Sequence, residues 1–271
     1  MLRDITLGQY YQTDSILHRL DPRVKLIGTF AFIVGLFLAG NVAGYAVAAI
    51  FLVSMIKLSH VPVKFMLKGM KAIAFLIVIT VVFNTFMTPG EVLIQVWKLK
   101  VTKEGLIMAA KLAVRLSFLI VGSSIMTLTT TPNQLTDAIE SLLSPLKLIK
   151  LPVHEFSMMM TIALRFIPTL IEETDKIMSA QKARGADFSS GGLIKRAKAL
   201  LPVLVPLFIS AFRRADELAV AMECRCYRGG NGRTKMTRRT LRLYDFILVI
   251  FFGAFIAGVV LINKYVPFYT V

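Results

Sequence analysis

The sequence predicts an all-α integral membrane protein of about five transmembrane helices, joined to long amphipathic helices outside the bilayer, and three observations carry that prediction. Of its 271 residues, 56% are hydrophobic and mean hydropathy is +0.68, more apolar surface than one soluble core of this length would hold. The apolar residues gather into runs long enough to cross or nearly cross a bilayer, divided by basic clusters. Residues 132–242 are different: apolar residues recur there at helical spacing, but no stretch is long and charge-free enough for an ordinary span.

The first apolar block covers residues 24–39, breaks at Gly40-Asn41 and resumes over 42–56, a tight pair of short helices. Lys57, Lys64, Lys68 and Lys71 cluster around His60 and Pro62 before a third run over 72–87, which Thr88-Pro89-Gly90 ends. Residues 91–104, with Trp97, Lys98, Lys100 and Lys103, read as a loop. A fourth span follows over 106–130. It carries Lys111 and Arg115 four residues apart on one face, near the outer end, where snorkelling would bring both to the surface. The last clean run is 246–262.

Five spans with the N-terminus inside give a membrane domain over 1–131, a cytoplasmic coupling domain over 132–243 and a final span with its tail over 244–271. This arrangement keeps the basic clusters on the cytoplasmic side at every loop except 91–104. The chain carries 32 Lys and Arg against 16 acids, a net charge of +16 and a pI near 10.1. In a soluble protein such a charge would suggest nucleic acid, but here it sets topology and meets anionic headgroups, so the lipid bilayer is the expected partner and nucleic acid is not. The same reading serves Arg233, Lys235, Arg238, Arg239 and Arg242 ahead of the last span. Residues 1–22 are polar and lack a signal peptide's apolar core, so the first span is expected to remain in the mature protein.

Within 132–242 two long helices are predicted, over 153–184 and 193–225, each apolar at its start and charged at its end. Pro168 in the first, and Pro202 and Pro206 in the second, remove backbone hydrogen bonds and are candidate flexure points. Aligned without gaps, residues 175–184 match 216–225. Asp175 and Asp216, Ile177 and Leu218, Ala180 and Ala221, and Arg184 and Arg225 fall at equal spacing. Gly185 is a natural left-handed terminator for the first helix, and Gly229-Gly230 with Asn231-Gly232 for the second. A cation is favoured at a helix C-terminus, so ordinary capping accounts for each arginine alone. It does not require the same residues nine positions upstream of both. The functional reading is a pair of plugs, in which a compact Ala or Cys flank lets a partner wall approach while the guanidinium engages carboxylates or carbonyls.

Other chemistry is sparse. Cys224 and Cys226 are the only cysteines, too few for a disulfide framework, and a Cys-x-Cys pair on a helix points its sulfurs apart. His18, His60 and His154 are distant in sequence, and neither an enzyme's acid–base cluster nor a metal site emerges. No Gly-x-x-x-x-Gly-Lys-Ser/Thr loop is present to hold a nucleotide's phosphates. Met158-Met159-Met160 adds an adaptable apolar surface to the first long helix.

Several segments together resemble one family, the transmembrane coupling protein (EcfT) of energy-coupling factor transporters. They are Gly8-Gln9-Tyr10-Tyr11, Thr13-Asp14-Ser15, the stretch 18–26 with Asp21-Pro22-Arg23, Gln181-Lys182-Ala183-Arg184-Gly185, and 221–230. The resemblance covers nearly the whole chain. It implies an L-shaped protein whose coupling helices end in two Ala-Arg-Gly motifs, in a complex belonging to the ATP-binding-cassette transporters. Those ends dock into two ATPase subunits, while the coupling helices also hold a small, exchangeable substrate-binding membrane protein (the S component). Carried onto this chain, Ala183, Arg184 and Gly185 form the first motif. The second is Cys224, Arg225 and Cys226, departing from Ala and Gly at both flanks, with Asp175, Ala180, Asp216, Ala221 and Glu223 supporting. The resemblance further implies a multi-pass bacterial cell-membrane protein, active in vitamin uptake and without enzymatic activity. ATP and Mg would then be bound by partner subunits, with no cofactor on this chain. The competing reading is a self-contained secondary transporter or channel. It needs charged residues near the midplane of several spans, where only Lys111 and Arg115 qualify.

Overall fold

The computed structural model describes residues 10–96, 99–188, 192–229 and 243–265, and these are almost entirely helical. In chain order they form α1 (Ile16–Arg19), α2 (Pro22–Leu38), α3 (Val42–Ser59), α4 (Val63–Met87), strands β1 (Val92–Val96) and β2 (Leu99–Thr102), α5 (Lys103–Thr129) and α6 (Pro132–Leu143). A 3-10 turn (Ser144–Ile149), α7 (Val153–Ala183), α8 (Leu193–Cys224) and α9 (Leu243–Tyr265) follow. Two compact units emerge, one drawn from Gly8–Ala138 with Arg238–Val271, the other from Ile139–Thr237 with Met1–Leu7.

In the first unit, α3, α5 and α9 are each long and apolar enough to cross a membrane. The two parts of α4, Val63–Lys71 and Ile73–Met87, inclined at 60°, make a fourth candidate if taken as one span. The expected count of about five is reached only with α2, whose 17 residues stand at the lower limit of roughly 17 for spanning. α4 begins nine residues earlier than its apolar run, directly after Pro62, taking Lys64, Lys68 and Lys71 into its first turns, while Lys57 lies in the last turn of α3.

Aromatic rings fill the core of this unit. Phe51 lies between Phe32, Phe251, Phe252 and Phe255, with ring centroids 4.6 to 5.7 Å away. Gly28 and Gly35, one heptad apart on α2, let α9 approach: a Cβ at Gly35 would stand 2.5 Å from the Phe255 ring, and one at Gly28 would collide with Phe252.

One sequence reading is corrected here. Within 91–104, read as a loop, Val92–Val96 and Leu99–Thr102 pair as antiparallel strands, setting Val92 opposite Thr102 and Val96 opposite Leu99 across a register shift. The β-branched and aliphatic residues of Val92–Val96 and Leu99–Thr102 suit a pleated pair. The Thr102 hydroxyl then caps α5 by accepting from the Gly105 N–H at 3.1 Å. Arg115, near the outer end of its span in the sequence reading, has partners on neighbouring helices. Its Nε donates to the Tyr45 hydroxyl at 2.9 Å and its terminal nitrogen to the Ala39 carbonyl at 3.3 Å, with the guanidinium over the Phe37 and Tyr45 rings. Ala39 caps the end of α2, so this cation meets a carbonyl left over at a helix terminus and is satisfied inside protein.

The N-terminal motif closes one end of the same unit. Asp21 is the N-cap of α2, accepting from the Arg23 N–H at 2.9 Å, and Pro22 takes the first helical position, where no N–H is needed. The Asp21 N–H donates to the Asp245 carboxylate of α9 at 2.8 Å. Buried Lys25 donates to the Thr129 carbonyl at 2.8 Å, and the Tyr11 N–H to the Leu128 carbonyl at 2.9 Å, so the last turn of α5 is completed from the N-terminal segment. His18 holds that segment: its Nε2 lies 2.9 Å from the Tyr11 carbonyl and its Nδ1 2.7 Å from the Ser15 hydroxyl. Nε2–H donating and Nδ1 accepting satisfies both contacts with a neutral ring. Burial lowers the His18 pKa below 6.5, and the Lys25 charge acts in the same direction against the Tyr11 bond.

Candidate functional site: two exposed helix tips

The second unit is built on α7 and α8, which run antiparallel: Gln181 of α7 reaches Pro202 of α8, while Glu173 reaches Ser210 and Arg214. The Glu173 carboxylate accepts from the Ser210 hydroxyl and, at 3.0 Å, from the Arg214 guanidinium. The Ser210 bond is the larger influence holding the Glu173 pKa below 4.5, and Arg214 adds to it. Near the start of α7, buried Glu140 accepts from the Ser157 hydroxyl at 3.2 Å and stands 3.2 Å from His154 Nδ1, joining the end of α6 to α7.

The prolines lie inside their helices, Pro168 in α7 and Pro202 and Pro206 in α8. Pro206 has no N–H to give to the carbonyl four residues back, that of Pro202. The Gln181 side-chain amide supplies the missing donor, 3.4 Å from the Pro202 oxygen. The proline-opened turn of α8 is thereby tied to the last turn of α7.

Both helices end in the same way. At α7 the Gly185 N–H donates to the Lys182 carbonyl at 2.9 Å and the Ala186 N–H to the Gln181 carbonyl at 3.0 Å. At α8 the Cys226 N–H donates to Glu223 at 2.8 Å and the Tyr227 N–H to Met222 at 3.0 Å. These are two Schellman motifs with Arg184 and Arg225 at the cap positions and a left-handed residue after each. Gly185 holds φ +88 and Cys226 holds φ 56. The expected terminator of the second helix is thus corrected. Cys226 makes the left-handed turn, whereas Gly229, also left-handed, comes three residues later, and Gly230, Asn231 and Gly232 lie outside the described residues. A non-glycine residue in this conformation costs about 1–2 kcal/mol.

Ala183, Arg184, Gly185, Cys224, Arg225 and Cys226 are all exposed, as are Ala180, Asp216, Ala221 and Glu223, while Asp175 is half-buried. The Schellman bonds give the carbonyls of Gln181, Lys182, Met222 and Glu223 local donors, so neither arginine side chain is needed to cap them. Each arginine stands 11 residues beyond a member of the Glu173–Arg214 pair, about 16 Å or three helical turns away, on the helix face that bears that member. The 41-residue offset that superposes the two arginines also superposes Glu173 on Arg214, so the ion pair joins equivalent positions of the repeat. Sequence reasoning missed this pair, although applying the same offset to the charged residues upstream would have found it. Asp21, Pro22 and Arg23 belong to the other unit, in the N-terminal clamp already described.

A multi-span helical membrane protein with two exposed, identically capped helix ends fits a subunit of a transport complex, and sequence comparison gives the family. A family profile described as "Cobalt transport protein" matches residues 13–236. The energy-coupling factor transporter transmembrane protein EcfT of Ruminiclostridium cellulolyticum is 53% identical over 263 residues, covering 97% of this chain and 98% of the relative. The protein of the same name from Clostridium kluyveri is 57% identical over 249 residues (91% and 92%), and that from Bacillus subtilis 50% identical over 236 residues (87% and 89%). The chain belongs to the EcfT family of transporter transmembrane proteins.

Proposed function

We propose that this chain is the transmembrane coupling subunit of an ATP-driven importer of vitamins or other micronutrients. It links two ATP-binding-cassette ATPase subunits, which bind the ATP and Mg, to an exchangeable substrate-binding membrane protein, and it has no catalytic activity of its own. It resides in a bacterial cell membrane with its N-terminus and residues 132–243 in the cytoplasm.

The observation that carries this reading is the pair of exposed arginines at the ends of equal arms from one ion-paired crossing. Nucleotide-driven closure of the ATPases moves the two tips, the arms act as levers, and Pro168, Pro202 and Pro206 mark where they flex. The substrate-binding partner sits on apolar faces of the same helices. Leu201, Val205, Phe208 and Phe212 are exposed at i, i+4, i+7 and i+11 of α8, and Phe156, Met159 and Met160 are exposed on α7.

An arginine seated against a buried carboxylate leaves a stranded charge when removed, costing about 3–5 kcal/mol, or a hundredfold and more in affinity. Arg184→Ala and Arg225→Ala are therefore expected to release ATPase subunits during purification in mild detergent and to abolish uptake, with the melting of the chain itself unchanged. Retention of an intact ATPase pair by the double variant overturns the reading. The description of the matching family profile favours one second reading, a subunit of a dedicated cobalt or nickel importer. Identification of the substrate-binding protein that co-purifies separates the two.

A further inference from the structure

Resting on the docking function proposed above, we propose that the charge two residues ahead of each arginine, positive at Lys182 and negative at Glu223, decides which ATPase subunit each tip accepts. The 41-residue offset of the repeat sets Lys182 opposite Glu223 and Lys176 opposite Glu217, inverting the sign at both positions while keeping the arginines. The cap hydrogen-bonding pattern does not discriminate between the tips, because the two pairs of bonds agree within 0.1 Å, at 2.9 against 2.8 Å and 3.0 against 3.0 Å. Side-chain charge does.

At the crossing, opposite charges at equivalent positions have an internal reason, since Glu173 and Arg214 meet each other. Nine residues further out that reason is gone. Lys182 and Glu223 are both exposed, and neither has an ion-pair partner among the described residues. Helix capping does not supply one. The C-terminal end of a helix favours a cation, so Lys182 is where its own helix would place it, whereas Glu223 stands against the dipole of α8. A carboxylate kept there, beside an arginine that does not pair with it, is suited to a partner.

The chemistry of each socket follows. The socket for the first tip presents an acidic side chain for Lys182 beside the ligand of Arg184, and the socket for the second presents a basic side chain for Glu223 beside the ligand of Arg225. In the wrong socket each tip would bring like charges together, which excludes a partner more sharply than a missing contact does. The two ATPase subunits therefore differ at this point, and each fits one tip.

The test uses the full chain in mild detergent at low salt, with each ATPase subunit supplied singly so that contacts between the two do not mask a loss. Lys182→Glu is expected to lower retention of one subunit by about tenfold or more and Glu223→Lys to lower retention of the other, each sparing the non-cognate subunit. Both effects should shrink at high salt. Equal losses of both subunits from either variant, no loss from either, or one and the same ATPase species held equally at both tips overturns the charge key. Arg184→Ala and Arg225→Ala, run alongside, separate the two failures. If they release the subunits while the charge variants do not, docking stands and the key falls; if they release nothing, docking itself falls and takes the key with it.

Discussion

The membrane unit and the coupling unit each contain prominent helix C-termini, and they treat the carbonyls there in opposite ways. At the end of α5, Leu128 and Thr129 take their donors from residues more than a hundred positions earlier in the chain, the Tyr11 N–H and the Lys25 ammonium. At the ends of α7 and α8 the donors are local N–H groups, and the nearby cations, Arg184 and Arg225, stand exposed. A cation buried on a carbonyl of its own chain has become part of the fold. A cation at a self-capped helix end remains available to something outside it.

The largest stability difference this comparison predicts is between Lys25→Met and Arg184→Ala. Lys25→Met keeps side-chain length but leaves the Thr129 carbonyl without the ammonium that reaches it, at a cost of about 1–3 kcal/mol. Arg184→Ala removes an exposed side chain whose helix caps itself, with an effect on stability within about 0.5 kcal/mol. Thermal unfolding of the purified chain in detergent should show a clear drop for the first and almost none for the second. Equal drops would mean that the tip arginines serve the fold after all.

How far the sequence carried this picture varies with distance along the chain. The pair of helices broken at Gly40-Asn41 and the last apolar span are plain from hydropathy alone, because lipid-facing segments need long uncharged runs. The strand pair within 92–102 was not, since a pleated pair of five and four residues leaves too short an alternation to stand out among lysines. The bond of Arg115 to Tyr45 spans 70 residues, and no local pattern announces that contact. At the candidate site the arginine repeat was legible, being a matter of identity and spacing. The left-handed Cys226 was hidden behind the stronger glycine signals at Gly229 and Gly230, and the Glu173–Arg214 crossing required knowing which faces of two helices meet.

Cys226 gives a smaller test of the same contrast. If the tip of α8 is a self-contained Schellman cap, Cys226→Gly relieves the left-handed backbone and yields the geometry already present at Gly185. The gain in helix-end stability should be about 1 kcal/mol, reduced by the greater freedom of glycine in the unfolded chain. Hydrogen exchange at the Tyr227 amide, which donates to Met222, should slow accordingly. Faster exchange would show that the cysteine side chain, rather than its backbone, holds the turn.

The smallest effect, and the one that orders the two units against each other, is their response to acid. His18 has its pKa lowered in the fold, so the unfolded chain binds the proton more readily and stability rises with pH. Its contribution is complete above about pH 6.5 and fades as pH falls through the folded value. Lys25 is the positive neighbour opposing its protonation and Asp14 the acid favouring it. Glu173 also has its pKa lowered, and as a carboxylate its contribution is complete above about pH 4.5 and is lost only as pH falls below that. The pair it forms is partly exposed and contributes at most about 1 kcal/mol. Acidification from pH 7 to pH 5 should therefore loosen the N-terminal clamp while the α7–α8 crossing holds. Faster exchange of the Tyr11 amide, with unchanged cross-linking between cysteines placed on α7 and α8 near the crossing, is the expected result. Loss of the crossing first would reverse the order and place the titrating weak point in the coupling unit.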